Sequence, residues 1–401
     1  MDYPDGLLLN PTADPYDQKY FFEWNPHPKD SKPCYTASYV IGAQRIDNEE
    51  LIIEPKINNI DFLSMFSACL NSGLEAESFS KIYGFDLDAD PIKTQSSIFS
   101  ALTPLLVIHF IRLMQEITAK GLRADYINKN ENLKKIKGKI DIINNERKNI
   151  INKRFDRTYC IYTERSINTP ENRLFKRALI FSKQFLFKMK DNESYSSLLQ
   201  QVNYCLSFFE NVDERIELWE IKNTKKNSLY KNYSDAIKLA KMVLKHFDYT
   251  ISDIEKKNIK TPVFWMDMAL LYEHYVYGLL HKEYGSQVKY QKSGCFGWKP
   301  DFLQIKEKII MDTKYMPQLD WQGITGDIVG QLSGYARIRS FTNNILHVSD
   351  ETVVPCLIFY PTLETYKHHF AFDTNKKLID QATPAGHLVK FYKFAVPMPR
   401  L

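Results

Sequence analysis

The sequence predicts an α+β multidomain protein with a β-rich N-terminal domain over residues 1–121, a basic and mainly helical middle region over residues 122–260, and a mixed α/β domain over residues 261–401. Three observations predict this division. Hydrophobic residues make up 44% of the 401 residues, which is enough for several cores. Strand-like runs dominate the first third of the chain, and helical spacing dominates the second. In the last third, helices and strands alternate.

The composition argues against several classes of protein. No stretch approaches the roughly 18 apolar residues of a membrane span, and the first residues, MDYPDGLLLN, lack the basic-then-apolar order of a secretory signal. We therefore expect a cytoplasmic protein without a membrane partner. The cysteines form no Cys-x-x-Cys pair, which argues against both a zinc site and a disulfide framework; they are Cys34, Cys69, Cys160, Cys205, Cys295 and Cys356.

The N-terminal domain begins with a predicted β-hairpin. Residues 39–46 and 50–54 are strand-like and flank Asp47-Asn48-Glu49, a good tight-turn sequence. Residues 98–118 are apolar enough for a buried helix, which Gly121 ends. The first domain boundary is placed there.

The middle region is basic and is predicted to be helical. Residues 134–157 carry nine Lys or Arg against three acids. That excess either neutralises DNA phosphates or forms a solvated helix face, and the sequence leaves both interpretations open. Thr169 is a plausible N-cap followed by Pro170, so a helix is predicted over residues 171–188. Further helical stretches cover residues 196–210 and 234–246.

In the C-terminal domain, a helix is predicted from Pro262 to Tyr284. Strands follow at residues 300–305 and 308–315, then a helix at 327–340 and strands at 353–360 and 388–394. This order is typical of a short mixed α/β domain.

The two strands at residues 300–315 are predicted to bring acidic side chains together. If Lys306 and Glu307 form a two-residue turn, counting outwards places Asp301 directly opposite Asp312. Asp312 and Lys314 lie two residues apart on one strand and so share a face. The result is a patch of two carboxylates and an ammonium group.

Such a patch indicates a metal site. Residues 309–311 are an apolar run typical of a buried strand, so Asp312 at the end of this strand is removed from water. This desolvation costs free energy unless a cation compensates for it. Magnesium suits the oxygen ligands of Asp301, Asp312 and the backbone carbonyl of Thr313. Lys314 would then orient or deprotonate the attacking water, or stabilise charge in the transition state.

Two further side chains join this candidate site. Glu273 lies on the apolar stripe of the predicted helix; an isolated glutamate there usually reaches water, but beside two carboxylates it is interpreted as a third acid and metal ligand. Gln331 and Tyr335 are four residues apart on the next helix. Gln331 binds a phosphate or positions water; the alternative is an amide on the helix surface.

Pro300-Asp301 followed by Asp312-Thr313-Lys314, between an acidic helix and a helix with Gln331, resembles the PD-(D/E)xK nuclease superfamily. Within this superfamily, other segments of the chain resemble McrC, the nuclease subunit of the McrBC modification-dependent restriction system. They are residues 39–42 with 53–57, residues 121–126 with 137–141, and residues 168–179.

That resemblance implies different functions for the N-terminal and C-terminal domains. The N-terminal domain would dock on a ring of McrB, a GTP-hydrolysing AAA+ motor that recognises modified cytosine and whose hydrolysis McrC stimulates. The C-terminal domain would cut double-stranded DNA with Mg²⁺, as part of antiviral defence. The sequence contains no G-x-x-x-x-G-K-[ST] loop, so GTP hydrolysis would belong to the partner.

Two other functions remain open at this stage. The chain is alternatively a self-sufficient PD-(D/E)xK restriction or repair nuclease, which would cut without a nucleotide. It is otherwise an activator subunit that docks on an AAA+ ring and binds DNA without cutting. A structural protein with a chance motif would leave Asp312 and Glu273 without a role.

Overall fold

The computed structural model describes residues 22–25, 34–46, 49–71, 81–86, 92–94, 99–188, 194–216, 231–252, 259–261, 263–366 and 370–400. They fall into two compact units. The first unit lies within residues 1–105, 192–197 and 255–401, and the second within residues 106–191 and 198–254. The units therefore divide the chain differently from the predicted boundaries at 121 and 260.

The described strands follow one another in this order: β1 (Phe22–Asn25), β2 (Cys34–Ala37), β3 (Val40–Ile46), β4 (Glu49–Ile53), β5 (Tyr83–Asp86), β6 (Ile92–Thr94), β7 (Asp125–Leu133), β8 (Lys139–Ile140), β9 (Thr158–Ser166), β10 (Ile259–Thr261), β11 (Val263–Asp267), β12 (Val288–Tyr290), β13 (Phe302–Gln304), β14 (Ile309–Thr313), β15 (Cys356–Tyr360), β16 (Thr383–Pro384) and β17 (Phe391–Ala395).

The described α-helices are α1 (Phe62–Asn71), α2 (Phe99–Lys120), α3 (Ile142–Asn145), α4 (Pro170–Lys188), α5 (Ser194–Ser207), α6 (Lys231–Ser252), α7 (Met268–Tyr284), α8 (Gly326–Tyr335) and α9 (Arg339–Thr342). A π-helical turn, Glu146–Ile150, follows α3. Among these helices, none combines the length and the apolar character needed to cross a membrane. Residues 1–21, on which the expectation about a secretory signal rests, lie outside the described part of the chain.

The first sheet of the first unit has the strand order β4-β3-β11-β5, with antiparallel neighbours. The predicted N-terminal hairpin is confirmed as β3 and β4. The prediction of a helix beginning at Pro262 is wrong: residues 263–267 form β11, and α7 begins at Met268 with Asp267 as its N-cap. The reason is a period of two, since Phe264 and Met266 are buried while their neighbours Val263 and Trp265 are partly exposed.

The second sheet of the first unit has the strand order β12-β13-β14-β15-β17-β16. β14, β15 and β17 run parallel, and their neighbours at both edges run antiparallel. The register of β13 and β14 pairs Phe302 with Met311 and Gln304 with Ile309, as the sequence predicts. The predicted helix over residues 327–340 is divided into α8 and α9, because residues 336–338 leave the helical conformation.

The predicted middle region contains the helices α4, α5 and α6, but also a sheet that the sequence did not predict. Residues 125–166 contain an antiparallel sheet of order β7-β9-β8, so the first part of this region is β. Burial along β9 alternates, with Cys160 and Tyr162 inside, which is the spacing of a strand rather than of a helix. The helix predicted over residues 171–188 is confirmed as α4.

The polar start of α4 has a structural role. Thr169 Oγ1 accepts a hydrogen bond from the Asn172 N–H, as an N-cap does. The buried Asn172 amide donates to the carbonyls of Arg123 and Ile167 and accepts from the Tyr233 hydroxyl at 3.0 Å. These bonds join the start of α4 to α6 and to the segments that precede β7 and follow β9, all within the second unit.

Gly278 allows α7 to approach α1 closely. A Cβ at this position would overlap the backbone carbonyl of Ala68, whereas a Cβ at Gly330, in the interior of α8, would meet open space. We predict that Gly278→Ala lowers the free energy of unfolding by about 1–3 kcal/mol, because the two helices must separate. Gly330→Ala, the matched control, should raise it by about 0.5–1 kcal/mol through helix propensity. Chemical denaturation measures the free energy of unfolding of both variants. If the two substitutions changed it in the same direction, the close contact between α7 and α1 would be contradicted.

Candidate active site

The candidate site lies where β14 ends. Asp312 is 1% exposed and is the fourth residue of the strand, after three fully buried apolar residues. β13 starts one residue after Asp301, so the observed register places Asp301 opposite Asp312. The Thr313 backbone N–H and hydroxyl both donate to Asp301 Oδ2, at 2.7 and 2.6 Å. The hairpin thus fixes one carboxylate against the strand that carries the other.

Lys314 shares a face with Asp312, as their spacing predicts. Its Nζ forms an ion pair and a hydrogen bond with Asp312 Oδ2. The Lys314 backbone N–H donates to the carbonyl of Phe359 on β15 at 2.8 Å, which continues the parallel pairing beyond Thr313. The ammonium group is therefore carried by a backbone that β15 holds in place.

Glu273 reaches the same place from α7. Gln291 Nε2 donates to Glu273 Oε1 at 2.7 Å. The pKa of Glu273 is raised to about 7, chiefly by burial, because hydrogen bonds from Gln291 and Tyr290 oppose the shift only in part and the charges of Asp312 and Asp267 add to it. The helix thus adds a third carboxyl group to the two on the hairpin.

All three carboxyl groups have a raised pKa, and burial is the first cause in each case. Burial places the pKa of Asp301 well above its ordinary value, and the charges of Glu273 and Asp312 add to the effect. Burial also raises the pKa of Asp312, although the charge and hydrogen bond of Lys314 oppose the shift. Burial thus disfavours the ionised form of all three groups, and the charge of Lys314 opposes this effect at Asp312.

The helix α8 faces this cluster. Gln331 Nε2 donates to the Tyr335 hydroxyl at 2.9 Å. Burial first, and then the charges of Asp312, Asp301 and Glu273, raise the pKa of Tyr335 to about 12. Gln331 is exposed on α8 and is connected to the cluster through Tyr335.

Sequence reasoning missed three residues around the site. Tyr290 is the last residue of β12, and Gln291 follows it. This strand has three residues and is too short to show a sequence pattern. Trp298 occupies the space above Gly334, where a Cβ would overlap its ring, and packs edge-on against Tyr335. Gly334, next to Tyr335, indicated that another residue packs closely at this position, but the sequence does not show that this residue is Trp298.

The donor chemistry of the site fits a hard divalent cation. Within the described residues, no three His, Cys, Asp or Glu side chains form a ready metal-binding group. Instead Lys314 pairs with Asp312, and Thr313 donates to Asp301. Carboxylate oxygens in excess of positive charge are nevertheless the ligands that Mg²⁺ prefers, and a bound cation would relieve their mutual repulsion.

The raised pKa of Glu273 has a consequence for stability. The folded protein binds this proton up to about pH 7, whereas the unfolded chain releases it near the ordinary value of 4.5. Between these values the free energy of unfolding of metal-free protein should fall as pH rises, by up to about 1.4 kcal/mol per pH unit. Glu273→Gln should flatten this slope, and Glu351→Gln, at an exposed position, should not. A wild-type slope equal to that of Glu273→Gln would contradict the burial of this carboxyl.

Comparison with known proteins gives a family match and two similar structures. The family model described as McrBC 5-methylcytosine restriction system component matches residues 36–323. This range includes Glu273, Asp301, Asp312 and Lys314 and ends before Gln331. No curated protein matches the chain.

Two of the solved structures similar to this chain come from Thermococcus gammatolerans. One is a refined half-complex from a tetradecameric assembly of McrB AAA+ hexamers with bound McrC; the matched chain is 16% identical with a TM-score of 0.35, over 93% of this chain and 80% of that chain. The other is a McrBC complex, with 15% identity and a TM-score of 0.31, over 66% of this chain and 70% of that chain. The family match alone covers most of the sequence and agrees with the resemblance to McrC. This chain belongs to the family of McrBC 5-methylcytosine restriction system components.

Proposed function

We propose that this chain is the Mg²⁺-dependent DNA endonuclease subunit of an McrBC-type restriction system, with a PD-(D/E)xK site licensed by an AAA+ GTPase partner. The observation that carries the proposal is the convergence of Asp301, Asp312 and Glu273 beside Lys314 at the end of β14. Family membership supplies the context, because a restriction system requires a DNA-cleaving component.

Each residue of the site has a distinct task in this proposal. Asp301, Asp312, Glu273 and the backbone carbonyl of Thr313 would hold Mg²⁺, which when bound activates water and neutralises the phosphate. Lys314 would stabilise the negative charge that develops on the phosphate oxygens, or orient the attacking water. Gln331 would bind a phosphate oxygen or position that water. The buried floor formed by β14 strengthens these electrostatic interactions by lowering the local dielectric constant.

The decisive experiment compares DNA cleavage by wild type and by Asp312→Asn. The substrate is plasmid DNA with or without cytosine methylation, in Mg²⁺ or EDTA, with and without an McrB-type partner and GTP. We expect wild type to cut methylated DNA only when Mg²⁺, partner and GTP are all present. Asp312→Asn should lose about 10²-fold or more of that activity, because the site loses a buried charge. Asp350→Asn, at an exposed aspartate of the same unit, should keep it.

The same experiment separates the alternatives. Cleavage by the subunit alone, without partner or nucleotide, would identify a self-sufficient restriction or repair nuclease. An assembly that binds DNA and hydrolyses GTP but does not cut would leave only the activator role.

The second unit offers a surface for the partner. Its exposed apolar side chains lie among the basic residues of the same segment, and they include Tyr126, Ile136, Ile142, Ile143, Ile150, Ile151 and Phe155. Ile143 and Phe155 are 77% and 78% exposed. DNA phosphates are recognised by cations and polar donors and do not require such side chains. Exposed apolar groups are instead typical of a protein interface.

A polar network holds this surface in place. Asn149 is buried, exchanges two amide hydrogen bonds with Asn132, and donates to Asn145 at 2.7 Å. Asn145 in turn accepts from the Tyr159 N–H of β9. Because asparagines order the segment over residues 142–157 from within, its isoleucines are left outside. We propose that these isoleucines and Phe155, in addition to the predicted N-terminal docking region, contact the AAA+ partner.

Charge substitutions test this interface. Ile143→Asp with Phe155→Asp should weaken binding of the McrB-type partner about tenfold or more, because buried apolar contacts dominate interface energies. Partner binding is measured by calorimetry, and partner GTP hydrolysis should fall with it. Val389→Asp with Leu363→Asp, at exposed apolar positions of the first unit, is the control. Unchanged partner affinity in the first pair would remove this surface from the interface.

A further inference from the structure

Gln291 connects two of the three acids. Its side-chain Nε2 donates to Glu273 Oε1 at 2.7 Å, and its backbone N–H donates to the carbonyl of Asp301 at 2.9 Å. Glu273 belongs to α7 and Asp301 to the segment before β13. One residue thus sets the distance between carboxyl groups that come from separate parts of the chain.

The backbone of Gln291 is adapted to this double contact. β12 pairs with β13 as far as Tyr290 and Phe302, and Gln291 then leaves the sheet with a φ of +38°. A residue with a side chain seldom adopts positive φ, and such conformations cost about 1–3 kcal/mol. They persist where the surroundings determine them, and functional sites are common among those places.

Tyr290 supports Glu273 from the other side. Its hydroxyl forms a second side-chain hydrogen bond to Glu273. The Tyr290 oxygen also lies 2.9 Å from Nε2 of the buried His274. The Tyr290 hydroxyl and the His274 ring thus share a hydrogen bond that holds the hydroxyl next to Glu273. Consecutive residues of one strand end therefore both donate to the same carboxylate.

The chemical type of these donors suits a metal ligand. An amide and a phenol orient a carboxylate without adding a positive charge, so they leave Glu273 attractive to a cation. A lysine or arginine in the place of Gln291 would neutralise Glu273 and compete with the metal ion. Lys314, by contrast, contacts Asp312 and not Glu273.

We infer that Gln291 is a positioning residue that fixes Glu273 relative to Asp301 and thereby sets the affinity of the site for a divalent cation. This inference rests on the proposed metal-dependent nuclease function. Gln291 acts through Glu273 rather than on the substrate. Hydrogen-bonding partners of metal ligands contribute about 10–100-fold to metal affinity or activity.

The test compares Gln291→Met with Gln304→Met. Methionine keeps the length of the side chain and removes its amide. Gln304 is the matched control, because it is buried on the adjacent strand β13, and its amide oxygen accepts from the Glu307 N–H at the other end of that strand. Calorimetric titration with Mn²⁺ reports metal binding without catalysis, and the Mg²⁺ concentration for half-maximal cleavage is measured in the complete assembly with partner and GTP.

We expect Gln291→Met to raise both the Mn²⁺ dissociation constant and the half-maximal Mg²⁺ concentration about tenfold or more. Gln304→Met should lower the thermal midpoint and leave both metal constants unchanged. Gln291→Gly provides a second variant, since glycine accepts positive φ. It should unfold no earlier than Gln291→Met and show the same loss of metal affinity.

The outcomes distinguish a failure of the inference about Gln291 from a failure of the proposed nuclease function. Wild-type metal constants in Gln291→Met, or an equal loss in Gln304→Met, would overturn the inference while leaving the nuclease function intact. Wild-type affinity in Gln291→Gly would overturn it as well, because the side-chain amide would then be unnecessary. A wild-type protein that neither binds Mn²⁺ nor cuts DNA with Mg²⁺ would overturn the proposed function and this inference with it.

Discussion

The mutual repulsion of buried carboxyl groups is the constraint on which the rest of the first unit depends. Asp301, Asp312 and Glu273 share one end of a sheet, and Lys314 opposes only part of their charge. Such an arrangement destabilises a folded protein unless protons or a cation compensate. We propose that a bound cation compensates for this charge and that the surrounding strands keep the three groups together.

Packing around the site makes this placement rigid. Phe302, Ile310 and Ile358 are completely buried around the strand that carries Asp312, and the pairing of β13 with β14 fixes Asp301 opposite it. α7 brings Glu273 to the site, and this helix approaches α1 closely at Gly278. β11 pairs with N-terminal strands and leads directly into α7. The N-terminal strands of the chain thus help to position an acid of the C-terminal site.

The sequence predicted the local geometry of the site better than the organisation of the chain. The register of the β13–β14 hairpin followed from counting around a turn, and the shared face of Asp312 and Lys314 followed from the strand period. β11 escaped prediction because its five residues adjoin a long apolar helix, so the two patterns merge. The sheet over residues 125–166 was obscured by its charges and exposed isoleucines, which do not alternate as a core strand does. Gln291 could not be found because its contacts depend on a left-handed backbone after a three-residue strand.

The central claim is that the three acids form one cation site, and diffraction from crystals soaked in Mn²⁺ tests it most directly. We expect an anomalous peak among the carboxylates of Asp301, Asp312 and Glu273, with Lys314 displaced from its pairing with Asp312. A peak elsewhere, with the Lys314–Asp312 ion pair intact and Glu273 still bound only to Gln291 and Tyr290, would contradict it.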